Sequence, residues 1–421
     1  MRWHPLSLSH RSVPGASTDR ERCAMSISSI SVAKEPAFHK GAFVVTCVAT
    51  LLGFSMTTSQ SFLPQVMETK GIPLAITGYA MASTSIFALI FGLLSATLMA
   101  RLGTTVLMLA GMTIMCLCHL SFEITPKVFG GIFLSRMVYG IGAGIFYPAA
   151  LTFVKGMLHG PRTVSLFAIY TAMIPGSNLL GPPIAEWYIF NYGSERYFTF
   201  TAIPGIISVV LFLVLWLQNY DRHQEFDSTA SFSIILLNPA SWLPLLCLFI
   251  AGSIWGYVIS FLPYAAATRD LPGSLFIVAS TIGLFASRFF VVNHLKKFDS
   301  SLVSGWAICF MAISLLVMAL VRAPEAVAFC GVAFGISYAL SYPFISVWIL
   351  GVFDQKLHHI VISLTNALFN FCMFLAPLFV SLFASSTHLK IDLYQIILSI
   401  TGLSALIAGF TFRYIVSLRK G

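Results

Sequence analysis

The sequence predicts an all-α integral membrane protein of twelve transmembrane helices, arranged as two pseudo-symmetric six-helix halves. Three observations carry that expectation. Of the 421 residues, 57% are apolar and only 9% charged, and the mean hydropathy is +0.88. The apolar residues gather into twelve runs, each near the roughly 20 residues that a helix needs to cross a hydrocarbon core of about 30 Å. The later six runs also repeat features of the first six at one constant offset. A soluble domain carries about 25% Asp, Glu, Lys and Arg, so the charges here cannot cover a water-facing surface. A soluble enzyme and a nucleic-acid binder are excluded on that ground, in spite of a formal net charge of +9.

Residues 1–40 are rich in Ser, Arg and His and hold no apolar run. No h-region follows the basic residues, so this is not a signal peptide; it reads as a disordered cytoplasmic tail, with Met25 an alternative start. The N-terminal half, 41–218, holds runs at about 41–66, 74–99, 104–122, 128–153, 164–186 and 198–218. A polar stretch at 219–239 reads as a cytoplasmic hinge. The C-terminal half, 240–416, holds runs at about 240–264, 273–293, 301–321, 325–350, 359–383 and 393–416, before a short cytoplasmic tail at 417–421. No loop is long enough for a separate catalytic domain. Seven of the 8 cysteines (Cys47, Cys116, Cys118, Cys247, Cys309, Cys330, Cys372) fall inside these runs. That is core usage and no disulfide framework. Cys116, Cys118 and His119 resemble a metal cluster only as a string, because positions 116 and 118 point to different sides of a helix.

Lys and Arg set the orientation. With twelve spans both termini share a side, which holds 16 Lys and Arg against 6 on the other, while Arg136 and Arg288 lie within spans. The positive-inside rule makes both termini cytoplasmic.

A shift of 195 positions lays Gly140, Ile141, Tyr147, Pro148 and Gly156 onto Gly335, Ile336, Tyr342, Pro343 and Gly351. The same shift brings Pro182 onto Pro377 and Arg101 onto Lys296. One offset that relates three separate places points to duplicated, parallel halves, an architecture with a solute site between them.

Several motifs can then be read. Between spans two and three stands Ala96-Thr97-Leu98-Met99-Ala100-Arg101-Leu102-Gly103-Thr104-Thr105; span four has Arg136-Met137-Val138-Tyr139-Gly140-Ile141-Gly142; span five has Gly176-Ser177-Asn178-Leu179-Leu180-Gly181-Pro182-Pro183. From 41 to 416 the chain resembles the major facilitator superfamily. The first motif matches that family's G-x-L-x-D-R-x-G-R-R loop in its Leu, Arg and final Gly, with Ala100 for the acid and Thr104 and Thr105 for the basic pair. The second matches R-x-x-x-G-x-G. The third matches in part the Gly-Pro motif of antiporters, without its trailing glycines. The resemblance implies a secondary transporter that moves one small organic solute by alternating access and performs no chemistry on it. Arg101, Gly103, Gly176, Gly181 and Pro182 become candidate conformational residues, and the family mostly works as monomers.

The site is sought among polar residues inside the spans. An ionisable side chain at depth is costly and normally faces a cavity with a partner, so Arg136 is the leading candidate, with Gln60 and Ser59 expected to hydrogen-bond its guanidinium. Arg288, near the end of span eight, has a stem long enough to snorkel to the boundary, with an anion contact from below as the alternative. His119 is expected on a lipid-facing span in a packing role. Asn178, Asn366 and Asn370, the last two on one helical face, and the deep aromatics Tyr139, Trp255, Tyr257, Tyr338 and Tyr342 complete the expected substrate-binding set. All acidic residues fall in tails, loops or span edges, Glu186 being nearest to the interior. Protons remain a candidate coupling ion, alongside substrate charge or a uniport.

The expectation is a multi-pass carrier of a bacterial inner membrane, without cofactor, metal, nucleic acid or enzymatic activity. It exports an anionic or neutral solute. The alternatives are a polyspecific drug efflux antiporter and a transport-inactive sensor.

Overall fold

The computed structural model describes residues 39–128, 130–158, 163–218, 233–295, 297–354 and 357–385. Span twelve at 393–416, the tail at 1–38, most of the hinge (219–232) and the tail at 417–421 lie outside the described residues. Within them the chain is helical, with no strand, and nine helical segments are long and apolar enough to cross a membrane. These are Lys40–Thr69, Leu74–Leu102, Thr104–Ser121, Gly131–Met157, Tyr197–Leu217, Pro239–Ala267, Ser300–Leu320, Pro324–Leu350 and Leu364–Leu382. They are spans one to four, six, seven and nine to eleven. Span five is interrupted, as Thr163–Gly176, a 3₁₀ turn at Ser177–Leu179 and Gly181–Tyr192; span eight is the shorter Leu275–Val291.

The breaks follow from the sequence. Gln60–Phe62 is a 3₁₀ turn because Pro64, two residues into the next helix, has no N–H for the ladder. Pro182 and Pro183 restart span five in the same way at the N-terminal positions where proline is tolerated. By contrast, Pro148, Pro343 and Pro377 sit inside continuous helices. Spans two and three are joined by a single residue, Gly103, at φ 85°. Only glycine takes that left-handed conformation without a steric penalty.

Lipid is as apolar as leucine, so helices pair through close packing at small residues more than through hydrophobic burial. The structure shows this at positions that the 195-residue offset relates. A Cβ at Gly140 would meet the Thr84 carbonyl oxygen of span two at 2.5 Å, and one at Gly335 would meet the Ser280 carbonyl oxygen of span eight. Valine at either place would push two helices apart. Large apolar side chains such as Leu134, Phe190, Phe289 and Phe329 point outward, as a lipid-facing surface requires.

One side of the bundle is the Lys40 side, where span one begins; the other is the Thr69 side, where it ends. Hydrogen bonds between residues before 218 and residues after 239 lie on the Thr69 side. Tyr264 Oη donates to Glu68 Oε1 at 3.0 Å. The Glu186 carboxylate accepts from Gly273 N–H at 2.5 Å, Ser274 N–H at 3.2 Å and Ser274 Oγ at 2.5 Å. Ser274 is the N-cap of Leu275–Ala286, so a carboxylate from span five closes the positive N-terminal end of span eight. Nearby, Lys70 and Glu123 form an ion pair at 2.8 Å.

Candidate functional site

Between spans one, two, four and five on one side and seven, eight, ten and eleven on the other lies a cavity of about 200 Å³. Among the described residues no lining side chain comes from spans three, six or nine, which stand outside as supports.

Arg136 lies five residues into span four and is 3% exposed. Its Nη1–H donates to Gln60 Oε1, the interaction expected from sequence. Its guanidinium carbon lies 5.2 Å from the Tyr139 ring centroid and 5.9 Å from that of Phe122. Among the described residues no carboxylate pairs with it, and its Nε–H has no acceptor. Taking such a cation out of water costs several kcal/mol. The amide dipole and two ring faces offset part of that, and donor capacity is left over at the cavity.

Gln60 is held in turn. Its Nε2 stands 3.1 Å from His119 Nδ1, and His119 Nε2 stands 2.8 Å from Thr201 Oγ1, which donates to the Tyr197 carbonyl at 2.8 Å. A hydroxyl has one proton to give, so Thr201 accepts from His119, and His119 Nδ1 accepts from Gln60. The chain therefore runs in one direction, from Arg136 through Gln60, His119 and Thr201 to a backbone carbonyl, with His119 neutral and protonated at Nε2. It ties together spans one, three, four and six. His119 is fully buried in a packing role, on a span that was expected to face lipid. Span three is apolar nearly all round, so its rotation about its own axis is not encoded in a hydrophobic stripe.

The opposite wall is aromatic. Trp255 and Tyr338 stack at 4.2 Å and 11°, and Phe334 lies nearly parallel to both, at 16° and 9°. Beside Tyr338 stands Arg288, on a π-helical turn at Ser287–Val291. Arg288 is solvent-accessible and lines the cavity, where the anion contact weighed beside a boundary anchor would be made. A π turn inserts extra residues into a helix and re-aims those after it, which a regular 3.6-residue period does not anticipate.

Of the expected residues, Gln60, Arg136, Tyr139, Asn178, Trp255 and Tyr338 line one cavity. Others do not. The Ser59 hydroxyl donates to the Met56 carbonyl at 2.6 Å, and the Ser59 carbonyl accepts from Tyr197 Oη at 2.7 Å, so Ser59 does not serve Arg136. Tyr257 is fully buried in the apolar core. Tyr342 packs edge-on against Phe369 at 5.0 Å. Asn370 Nδ2 donates to the Asn366 carbonyl at 2.9 Å within its own helix, and neither asparagine lines the cavity. Asparagine can always satisfy itself against the preceding turn, so its presence in a span locates no cavity. Tyr147 was missed as a cavity residue, and Arg288, weighed as an anion contact, was left out of the expected set.

The conformational candidates fall into two groups. Gly176, Gly181 and Pro182 sit at the break in span five. A Cβ on Gly181 would meet Thr58 Oγ1 and the Ser55 carbonyl, and Thr58 Oγ1 donates to the Ser177 carbonyl at 3.3 Å. The break is thus seated against span one. Arg101 is exposed in the last turn of span two, beside Gly103.

The sequence profile of the Major Facilitator Superfamily matches residues 45–377. An uncharacterized MFS-type transporter, YbcL of Bacillus subtilis (strain 168), is 25% identical over 177 residues, 41% of this chain and 44% of that relative. The matched segment thus spans less than half of the relative's length. The nucleoside transporter NupG superposes with a TM-score of 0.77 at 13% identity, over 89% of this chain and 99% of its own. A peptide transporter, POT, gives 0.72 at 13%, covering 90% and 94%. A POT family transporter in complex with 5-aminolevulinic acid gives 0.72 at 13%, covering 89% and 96%. At such identities the likeness is one of fold.

Proposed function

The chain belongs to the Major Facilitator Superfamily, and from that premise we propose that it exports one small anionic or neutral organic solute by alternating access. Two six-helix halves, 41–218 and 240–416, rock about the cavity. The protein is a monomer with both termini cytoplasmic in a bacterial inner membrane, and protons are the candidate coupling ion. On this orientation the hydrogen bonds of Glu68 and Glu186 close the external side, and the cavity faces inward. The partial Gly181-Pro182-Pro183 motif favours export.

One observation supports the charge preference: a buried arginine on the cavity with no carboxylate partner among the described residues. A cationic solute would add a second unneutralised charge there, whereas an anion removes the first. The volume argues against bulky drugs, since about 200 Å³ falls below the about 300–1,000 Å³ of drug-sized sites.

The test is a thermal-shift screen of the purified chain in detergent with anionic, neutral and cationic metabolites, in parallel with Arg136→Ala. A ligand at 100 times its Kd adds about 2.7 kcal/mol, a clear rise in melting midpoint. Stabilisation by anions that disappears in Arg136→Ala is expected. Stabilisation by bulky cations, indifferent to Arg136, would overturn the reading in favour of a drug exporter. Saturable, gradient-driven flux in liposomes separates a carrier from a transport-inactive sensor.

A further inference from the structure

We propose that Arg288 is a second anion-binding group of this cavity, and that the solute is therefore a small flat aromatic with two acidic groups, one for each arginine. The inference rests on the reading of the cavity as the solute site.

Arg136 on span four and Arg288 on span eight line the same space, and none of its lining residues is Asp or Glu. Among the described residues neither arginine forms an ion pair. A monoanion leaves one of these positive charges unmatched; a dianion matches both. Guanidinium groups present several N–H donors in a plane and hold carboxylates by two parallel hydrogen bonds.

The placement of Arg288 follows from the backbone. Leu275–Ala286 is regular α-helix, and the next five residues, Ser287–Val291, form a π turn. Such turns are uncommon and occur frequently at functional sites, because the added residue rotates the side chains that follow. Here Phe289 and Phe290 are 73% and 72% exposed on the outer surface, while Arg288 is on the cavity wall. Ser287 is fully buried and its hydroxyl has no hydrogen-bond partner among the described residues. An anchor that needed only to snorkel would require neither the π turn nor a place on that wall.

The ring requirement comes from Trp255 and Tyr338, which line the same cavity and are stacked at 4.2 Å. An aromatic solute packs against such rings in offset-stacked or edge-to-face geometry. The cavity, at about 200 Å³, suits a single ring with short acidic substituents.

The experiment measures binding of benzoate, terephthalate and cyclohexane-1,4-dicarboxylate to the full chain in detergent, at fixed ionic strength. Wild type, Arg288→Gln and Arg288→Lys are compared. A second charge-assisted contact predicts that terephthalate binds about tenfold or more tightly than benzoate in wild type. Cyclohexane-1,4-dicarboxylate is expected to bind more weakly than terephthalate. In Arg288→Gln the advantage of terephthalate over benzoate should vanish, and Arg288→Lys should retain part of it. Equal affinities in wild type, or an advantage that survives Arg288→Gln, would overturn the proposal and return Arg288 to a boundary role while leaving the anion reading intact. If none of the three binds wild type but neutral solutes do, this proposal falls alone; if only cationic solutes bind, both readings fall together.

Discussion

Gln60, Arg136 and Tyr139 on one wall correspond, by the offset of 195, to Trp255, Gly331 and Phe334 on the other. The two triads sit at equivalent places and do opposite things. In the first, an amide and a ring face hold a buried cation. In the second the arginine position is Gly331, where a Cβ would already meet the Ala279 side chain and the Phe276 carbonyl. With no side chain there, Trp255, Phe334 and Tyr338 close into parallel stacking. Positions that the offset relates thus carry unlike chemistry: one wall grips a charge, the other is a stack of rings. Arg288 has no counterpart in this scheme, since the offset relates it to Leu93, a 45% exposed residue of span two.

The most severe way to break this contrast is Gln60→Leu. It removes the acceptor of Arg136 and the donor to His119 at once, leaving a buried cation and a buried imidazole nitrogen unsatisfied. A loss of roughly 3 kcal/mol is expected, read as a lower melting midpoint in detergent. Gln60→Glu restores an acceptor to Arg136 but gives His119 Nδ1 no donor, so it should regain part of the midpoint and lose anion binding, because the new carboxylate occupies Arg136; a variant that still binds anions would show that Arg136 is only structural. On the other wall, Trp255→Leu keeps apolar bulk and removes the stacking face. About 1 kcal/mol of affinity for aromatic solutes should be lost, with non-aromatic anions unaffected, as titration of the two ligand types would show. The smallest effect is expected from Glu186→Gln, which tests how the walls are held together on the Thr69 side. The amide keeps an acceptor for the span eight N-terminus but loses its charge, weakening the cap by roughly 1 kcal/mol. A several-fold faster labelling of a cysteine placed at Ser61, from the Thr69 side, is the expected result; unchanged labelling would mean that Glu186 is no latch.

How much of this was legible in the sequence depended on what kind of signal each residue gives. Arg136 and Gln60 stood out because a charge and an amide inside apolar runs need a reason, and their depth along the helix follows from a fixed rise. The bounds of the spans among the described residues were legible for the same reason. Rotation about a helix axis was not. His119 was expected to pack, yet its partners Gln60 and Thr201 could not be read, because a span that is apolar all round has no stripe to orient it. Asn366 and Asn370 do share a face, yet one bonds the other's carbonyl along the helix. Arg288 was open to two readings because it lies near a span end, where depth alone does not separate an anchor from a cavity residue, and the π turn there is not visible in a regular period. The break in span five was announced by Gly181-Pro182-Pro183, whereas Pro377, its partner in the repeat, leaves its helix continuous. Proline alone does not decide the matter; adjacent residues do.

Gly103 remains the shortest junction in the molecule as described, one residue at φ 85° between two membrane-length helices. One residue spans at most about 3.6 Å, so the ends of spans two and three are tethered without slack. Whatever lifts or tilts the Lys40-side end of span two is handed to span three undiminished, and through His119 to the amide that holds Arg136. A lever arm that reaches from the membrane surface to the binding cavity is thereby built from two helices and a single glycine.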